Sequence, residues 1–120
     1  MLDIYQDNKK DLVAFKEGEK VNNSSLVKLN PHSKDEINEK HIPVIEVNNK
    51  EVTVKIGSIA HPMTKEHLIE DVFLETNKGI KKIKLTSTDA PVAHFTLENG
   101  EKVISSYAFC NIHGLWFKEL

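Results

Sequence analysis

The sequence has one cysteine, no run near the roughly 20 apolar residues that span a bilayer, and no surplus of basic charge. A single cysteine excludes an internal disulfide. Cys110 is therefore a packed thiol, a reactive thiol or a metal ligand, in a chain expected to stay reduced in the cytoplasm. The opening residues, Met1-Leu2-Asp3-Ile4-Tyr5-Gln6-Asp7, lack the positive and apolar regions of a signal peptide, so neither export nor a membrane location is expected. A net charge of −2 with 28% charged residues leaves no basic footprint for nucleic acid or an anionic membrane. At 120 residues the chain suffices for one principal domain with its own core.

Residues 42–117 read as short strands between turn signals, an all-β rhythm. Val52, Val54 and Ile56 alternate with Thr53 and Lys55; Ala93, Phe95 and Leu97 alternate with His94 and Thr96; Val103, Ser105, Tyr107 and Phe109 share one parity. Asn48-Asn49, Asn77-Lys78-Gly79 and Asn99-Gly100 tolerate positive φ, and the last is the strongest hairpin signal. Thr64 to Thr76 reads as mostly strand, although Glu66 to Val72 resembles the start of a helical turn. Such spacing favours a β-sandwich, with a small barrel as the competing closure. Residues 1–38 are polar with short apolar runs at Leu12 to Phe15 and Leu26 to Leu29, an N-terminal appendage to a sandwich spanning 39–120. Pro31 to Glu36 reads as a loop or single turn between them.

The densest chemistry is histidine. Cys110 stands three residues before His113, and His41, His61 and His67 lie upstream. Imidazole and thiolate suit iron, zinc, copper or nickel, whereas magnesium and calcium prefer oxygen. Each residue also has an ordinary reading: His41 as a surface residue where a strand begins, His61 as a turn residue beside Pro62, His67 as a polar position in an amphipathic stretch, Cys110 as a small packed hydrophobe and His113 as a strand end. Five such coincidences together are the weaker explanation. His32, in a polar loop, and His94, on an outward strand face, are kept out of the site. Four imidazoles and one thiolate leave a six-coordinate metal one open position, as catalytic sites do; iron accepts that coordination and zinc rarely does.

Three segments carry a resemblance: Glu39-Lys40-His41-Ile42-Pro43-Val44; Gly57-Ser58-Ile59-Ala60-His61-Pro62-Met63 with His67; and Cys110-Asn111-Ile112-His113-Gly114-Leu115-Trp116. In order and spacing they resemble the superoxide reductases of the desulfoferrodoxin and neelaredoxin family, across residues 39–117. The resemblance implies an immunoglobulin-like β-sandwich holding one iron ion per chain (Fe2+/Fe3+), with His41, His61, His67 and His113 equatorial and Cys110 axial. It implies one-electron reduction of superoxide to hydrogen peroxide without release of dioxygen, and re-reduction by a rubredoxin-like donor. A homo-oligomer, dimer or tetramer, is the expected assembly. Lys40 then attracts the superoxide anion and orients water for protonation, and Glu39, by similarity, swings in as a sixth ligand to ferric iron. Amides after Cys110 are positioned to tune its sulfur, Pro43 and Pro62 to fix ligand loops, and Trp116 to wall the site rather than relay electrons.

One departure is plain. Longer members of the family carry an N-terminal desulforedoxin-like module in which four cysteines hold a second iron, and residues 1–38 have no cysteine. That site is absent, and the segment reads as a metal-free relic. Two other classes compete: a blue-copper-like electron carrier, which needs two histidines, one cysteine and an axial methionine, and a metal-stabilised immunoglobulin-like binding module. The basic run Lys78-Gly79-Ile80-Lys81-Lys82 reads as a solvated strand edge.

Overall fold

The computed structural model describes residues 1–33 and 40–120, and all regular structure among them is β-strand. The chain divides into two compact units, Met1–Asn30 and Pro31–Leu120. The 38/39 boundary expected from the sequence falls within residues 34–39, outside the described residues.

The first unit contains β1 (Leu2–Gln6), β2 (Leu12–Lys16) and β3 (Val27–Lys28), an antiparallel sheet in the order β2-β1-β3. Leu2, Ile4 and Leu12 are buried. The β1–β2 turn is built by Asp7, whose Oδ1 accepts the amides of Lys9 and Asp11 at 2.9 Å each, while Lys10 takes the left-handed φ of 71°.

The second unit contains β4 (Pro43–Asn48), β5 (Glu51–Ile56), β6 (Ile69–Thr76), β7 (Gly79–Lys84), β8 (Val92–Thr96), β9 (Val103–Cys110) and β10 (Gly114–Glu119). They form two antiparallel sheets, β4-β5-β8 and β10-β9-β6-β7. Three strands facing four in this order is the immunoglobulin-like sandwich expected, not a closed barrel. Val52, Val54, Ile56, Ala93, Phe95 and Leu97 line one inner face as their alternation requires, against Ile69, Val72, Leu74, Ala108 and Cys110. No helix among the described residues is long and apolar enough to cross a membrane.

Two sequence expectations need correction. Val103 does not share a face with Ser105, Tyr107 and Phe109, because the β6–β9 register slips by one residue at Ile104 and returns Val103 to the core beside Ala108 and Cys110. Asn99-Gly100 closes no hairpin, since β8 and β9 belong to different sheets. Only Gly100 has positive φ (75°), so the primed turn that pairs adjacent strands is not formed. The crossover is instead fixed by buried Glu101, whose carboxylate accepts the Glu98 amide at 2.9 Å and the Thr76 hydroxyl at 2.5 Å and meets Lys81 at 3.1 Å. The Thr76 hydroxyl foremost, then the Glu98 amide and Lys81, hold that carboxyl down at about 2. The β7 lysines lie on a sheet edge as expected, with Lys82 and Lys84 exposed, and they also reach carboxylates: Lys81 meets Glu101, and Lys82 and Lys84 meet buried Asp71 at 3.6 and 3.4 Å. The other two hairpins form where expected, with Asn49 at φ 56° between β4 and β5, and Asn77-Lys78 between paired Thr76 and Gly79.

Candidate metal centre

β4, β6 and β10 begin, and β5 and β9 end, at the same edge of the sandwich, which gathers residues distant in sequence. His41 precedes β4, His61 follows β5, His67 precedes β6, Cys110 closes β9 and His113 stands just before β10. Gly57 makes the first of these junctions possible. Its φ is +86°, and a Cβ there would collide with the backbone carbonyls of Lys40 and Ile59, so only glycine lets the two loops close. Its amide donates to the Ile42 carbonyl at 3.0 Å, extending the β4–β5 ladder to the residue beside His41.

His67 is held twice over. Its amide donates to the Thr64 hydroxyl at 3.0 Å, and its carbonyl accepts the Thr64 amide at 2.9 Å. The Asn111 side chain then accepts the Leu68 amide at 3.0 Å and donates to the Glu66 carbonyl at 2.9 Å, bracketing His67 and tying it to the turn that carries Cys110 and His113. Cys110 is fully buried at the core end of β9, opposite Ile69.

The four imidazoles close a ring. Neighbouring centroids are 4.9 Å apart for His41 and His61, 4.7 Å for His61 and His67, 5.0 Å for His67 and His113, and 4.8 Å for His113 and His41, each pair edge to face. Ligand atoms of His41, His61, His67 and Cys110 all lie within 4.8 Å of one another. His113 completes the set with Nδ1, which is 3.2 Å from His41 Nε2 and 3.8 Å from Cys110 Sγ. Metal bonds of about 2.1–2.3 Å put donors on opposite sides of one cation just over 4 Å apart. The cluster fits a single ion.

Protonation states agree. His61 donates from Nδ1 to the Pro62 carbonyl at 2.6 Å, which leaves its buried Nε2 as a lone pair without a protein partner, and His67 Nε2 is likewise buried and unpartnered. Burial above all, then the other imidazoles, lowers His61 to about 4 against the opposing Pro62 carbonyl. Burial also lowers His67, followed by His113, His41 and the Lys40 charge. Both rings are neutral, as ligands must be, at neutral pH. Burial raises the Cys110 thiol and Glu70 adds to the rise, while the amides of His113 and Ile112 pull the other way; the His113 amide lies 3.5 Å from Sγ. A bound cation favours the thiolate and reverses the effect of burial.

The profile described as desulfoferrodoxin matches residues 33–119, which include all five clustered residues. The chain belongs to the desulfoferrodoxin family. A desulfoferrodoxin of Syntrophotalea carbinolica is 42% identical over 91 residues, covering 76% of this chain and 71% of that protein. A desulfoferrodoxin homolog of Archaeoglobus fulgidus is 44% identical over 82 residues, 68% of this chain and 64% of its own length. Among solved structures, the superoxide reductase from Treponema pallidum superposes with a TM-score of 0.85 at 37% identity, covering 99% of this chain and 98% of that one.

All five residues that the desulfoferrodoxin resemblance singles out as ligands come together. Lys40 is half-buried beside them, and its charge is felt at His67. Glu39 lies outside the described residues. The methionine that a blue-copper site needs is not offered: Met63 Sδ accepts the Ile69 amide at 3.4 Å. Sequence reasoning missed the Asn111 bracket, which requires knowing that two loops 43 residues apart meet. It also set His32 aside, yet the His32 ring lies 4.8 Å from Trp116 at a 41° tilt, and Trp116 stacks at 4.7 Å on His41.

Proposed function

We propose that this chain is a superoxide reductase with one iron ion, Fe2+ or Fe3+, held by Nε2 of His41, His61 and His67, Nδ1 of His113 and Sγ of Cys110. The observation that carries this reading is the closed ring of imidazoles around a buried thiol, with two inward lone pairs that no protein group satisfies. Five donors exceed the four of a structural zinc site and leave a six-coordinate metal one position for a small substrate. Bound iron supplies one electron to superoxide and regains it from a donor.

The protein's own groups do the rest. The Pro62 carbonyl fixes the His61 tautomer, the amides of His113 and Ile112 moderate the charge on Sγ, and Lys40 offers its positive charge to an approaching anion. Water ordered by Lys40 Nζ is the proton source as superoxide becomes hydrogen peroxide. His113 and Ile112 are exposed, so the substrate needs no deep channel. Glu39 is the proposed carboxylate that replaces departed product. A rubredoxin-like donor, a homo-oligomeric assembly and a cytoplasmic location complete the reading, and residues 1–38 are its metal-free relic of a desulforedoxin-like module.

The test is stoichiometric. Superoxide generated in the presence of the reduced, iron-loaded protein should yield an equal amount of hydrogen peroxide and no dioxygen. Half as much peroxide, accompanied by dioxygen, would make the chain a dismutase, and no consumption would leave a binding module.

A further inference from the structure

We propose that Trp116 is a positioning residue of the metal centre, one side chain that orients His41 and His113 together; the inference rests on the reading that these residues bind iron. Its indole stacks on His41 with centroids 4.7 Å apart and planes 20° from parallel, a contact that fixes the tilt of the imidazole as well as its place. Its Nε1–H donates to the His113 carbonyl at 3.1 Å, and the amide of that same residue meets Cys110 Sγ at 3.5 Å. One ring thus touches two of the ligand residues, and the second of them, His113, reaches Cys110 through its own amide.

The placement explains why the link is needed. His41 introduces a strand of the three-stranded sheet, whereas His113 lies on the β9–β10 turn of the other, and His41 Nε2 and His113 Nδ1 stand only 3.2 Å apart. Small relative movements of the sheets would change that separation directly. Trp116 spans the junction and is itself backed by His32, whose ring lies 4.8 Å away. The backbone of His32 is pinned on both sides of Trp116: its amide donates to the Leu115 carbonyl at 2.8 Å and its carbonyl accepts the Phe117 amide at 2.9 Å. A mere wall requires neither a hydrogen bond to one ligand residue nor a near-parallel stack on another.

The experiment compares full-length wild type, Trp116→Phe, Trp116→Leu and His32→Ala, each iron-loaded. The readouts are release of ferrous iron to a chelator and the position of the thiolate-to-iron band after oxidation. Trp116→Leu should release iron roughly tenfold faster and move the band, the scale set by other groups that orient metal ligands. Trp116→Phe keeps a stacking face without the N–H donor and should fall between, with His32→Ala closer to wild type. Denaturation of the metal-free proteins separates this from plain loss of packing. A Leu variant with lower metal-free stability but unchanged iron release and band overturns the proposal; if that variant does not fold, the same unchanged readings in Trp116→Phe overturn it. A wild type that takes up no iron would sink the functional reading and this inference together. A wild type with the band and indifferent variants would sink only the role of Trp116.

Discussion

Replacing His61 with Asn removes one titration from the metal site while keeping a side-chain donor where Nδ1–H meets the Pro62 carbonyl. His61 is 3% exposed, and burial lowers its ring from 6.5 to about 4. A folded-state value below the unfolded one means that the unfolded chain takes the proton first. The stability this ring contributes is therefore complete above pH 6.5 and is lost as the pH falls through about 4. A separation of about 2.5 pH units at 1.36 kcal/mol each gives about 3 kcal/mol, a large part of a small domain's stability. The assay is urea unfolding of metal-free wild type and His61→Asn at about pH 7.5 and about pH 4, with the transition midpoint and slope fitted at each. Wild type should lose about 3 kcal/mol more than the variant over this range. Parallel losses would refute the claim that the buried, unpartnered Nε2 of His61 governs the acid response, and would hand it to the carboxylates.

Three further outcomes follow from the same geometry. Cys110→Ser should abolish the thiolate-to-iron charge-transfer band of the oxidised protein, read by visible absorption, because a hydroxyl cannot supply that transition; an unchanged band excludes Cys110 as a ligand. Lys40→Ala should slow superoxide consumption by about tenfold at low ionic strength, with the deficit shrinking as salt rises, measured by pulse radiolysis; equal rates at low salt remove its steering role. Gly57→Ala should cost about 2 kcal/mol or more in denaturant unfolding and weaken iron retention, since a left-handed backbone and two carbonyl collisions coincide there; wild-type stability would contradict that account.

What could be read from the sequence was whatever depends on local period or on residue chemistry. Val52, Val54 and Ile56, and Ala93, Phe95 and Leu97, sit where simple alternation puts them, because their strands run without interruption. The five clustered residues were legible because soft ligands in such number have no common alternative role. Alternation failed where a bulge inserts a residue. Glu70 shifts the β6 face between Ile69 and Asp71, and Ile104 does the same for β9, so strand period alone assigns the wrong side. Asn99-Gly100 carries strong hairpin chemistry, but the flanking strands pair with other partners, so long-range pairing overrode a local signal. The Asn111 bracket and the ring contacts of Trp116 with His32 and His41 join segments far apart in the chain, which no local pattern encodes. The β7 lysines were legible as a solvated sheet edge, but their pairing with the buried carboxylates Asp71 and Glu101 was not, because those lie on other segments.

Whether four imidazoles and one thiolate hold a single redox-active iron is decided by metal analysis with a visible spectrum before and after mild one-electron oxidation. About one iron per chain is expected, colourless when reduced, with a broad thiolate-to-iron band in the red when oxidised. Copper with an intense blue band, or zinc or no metal persisting after iron reconstitution, would contradict it.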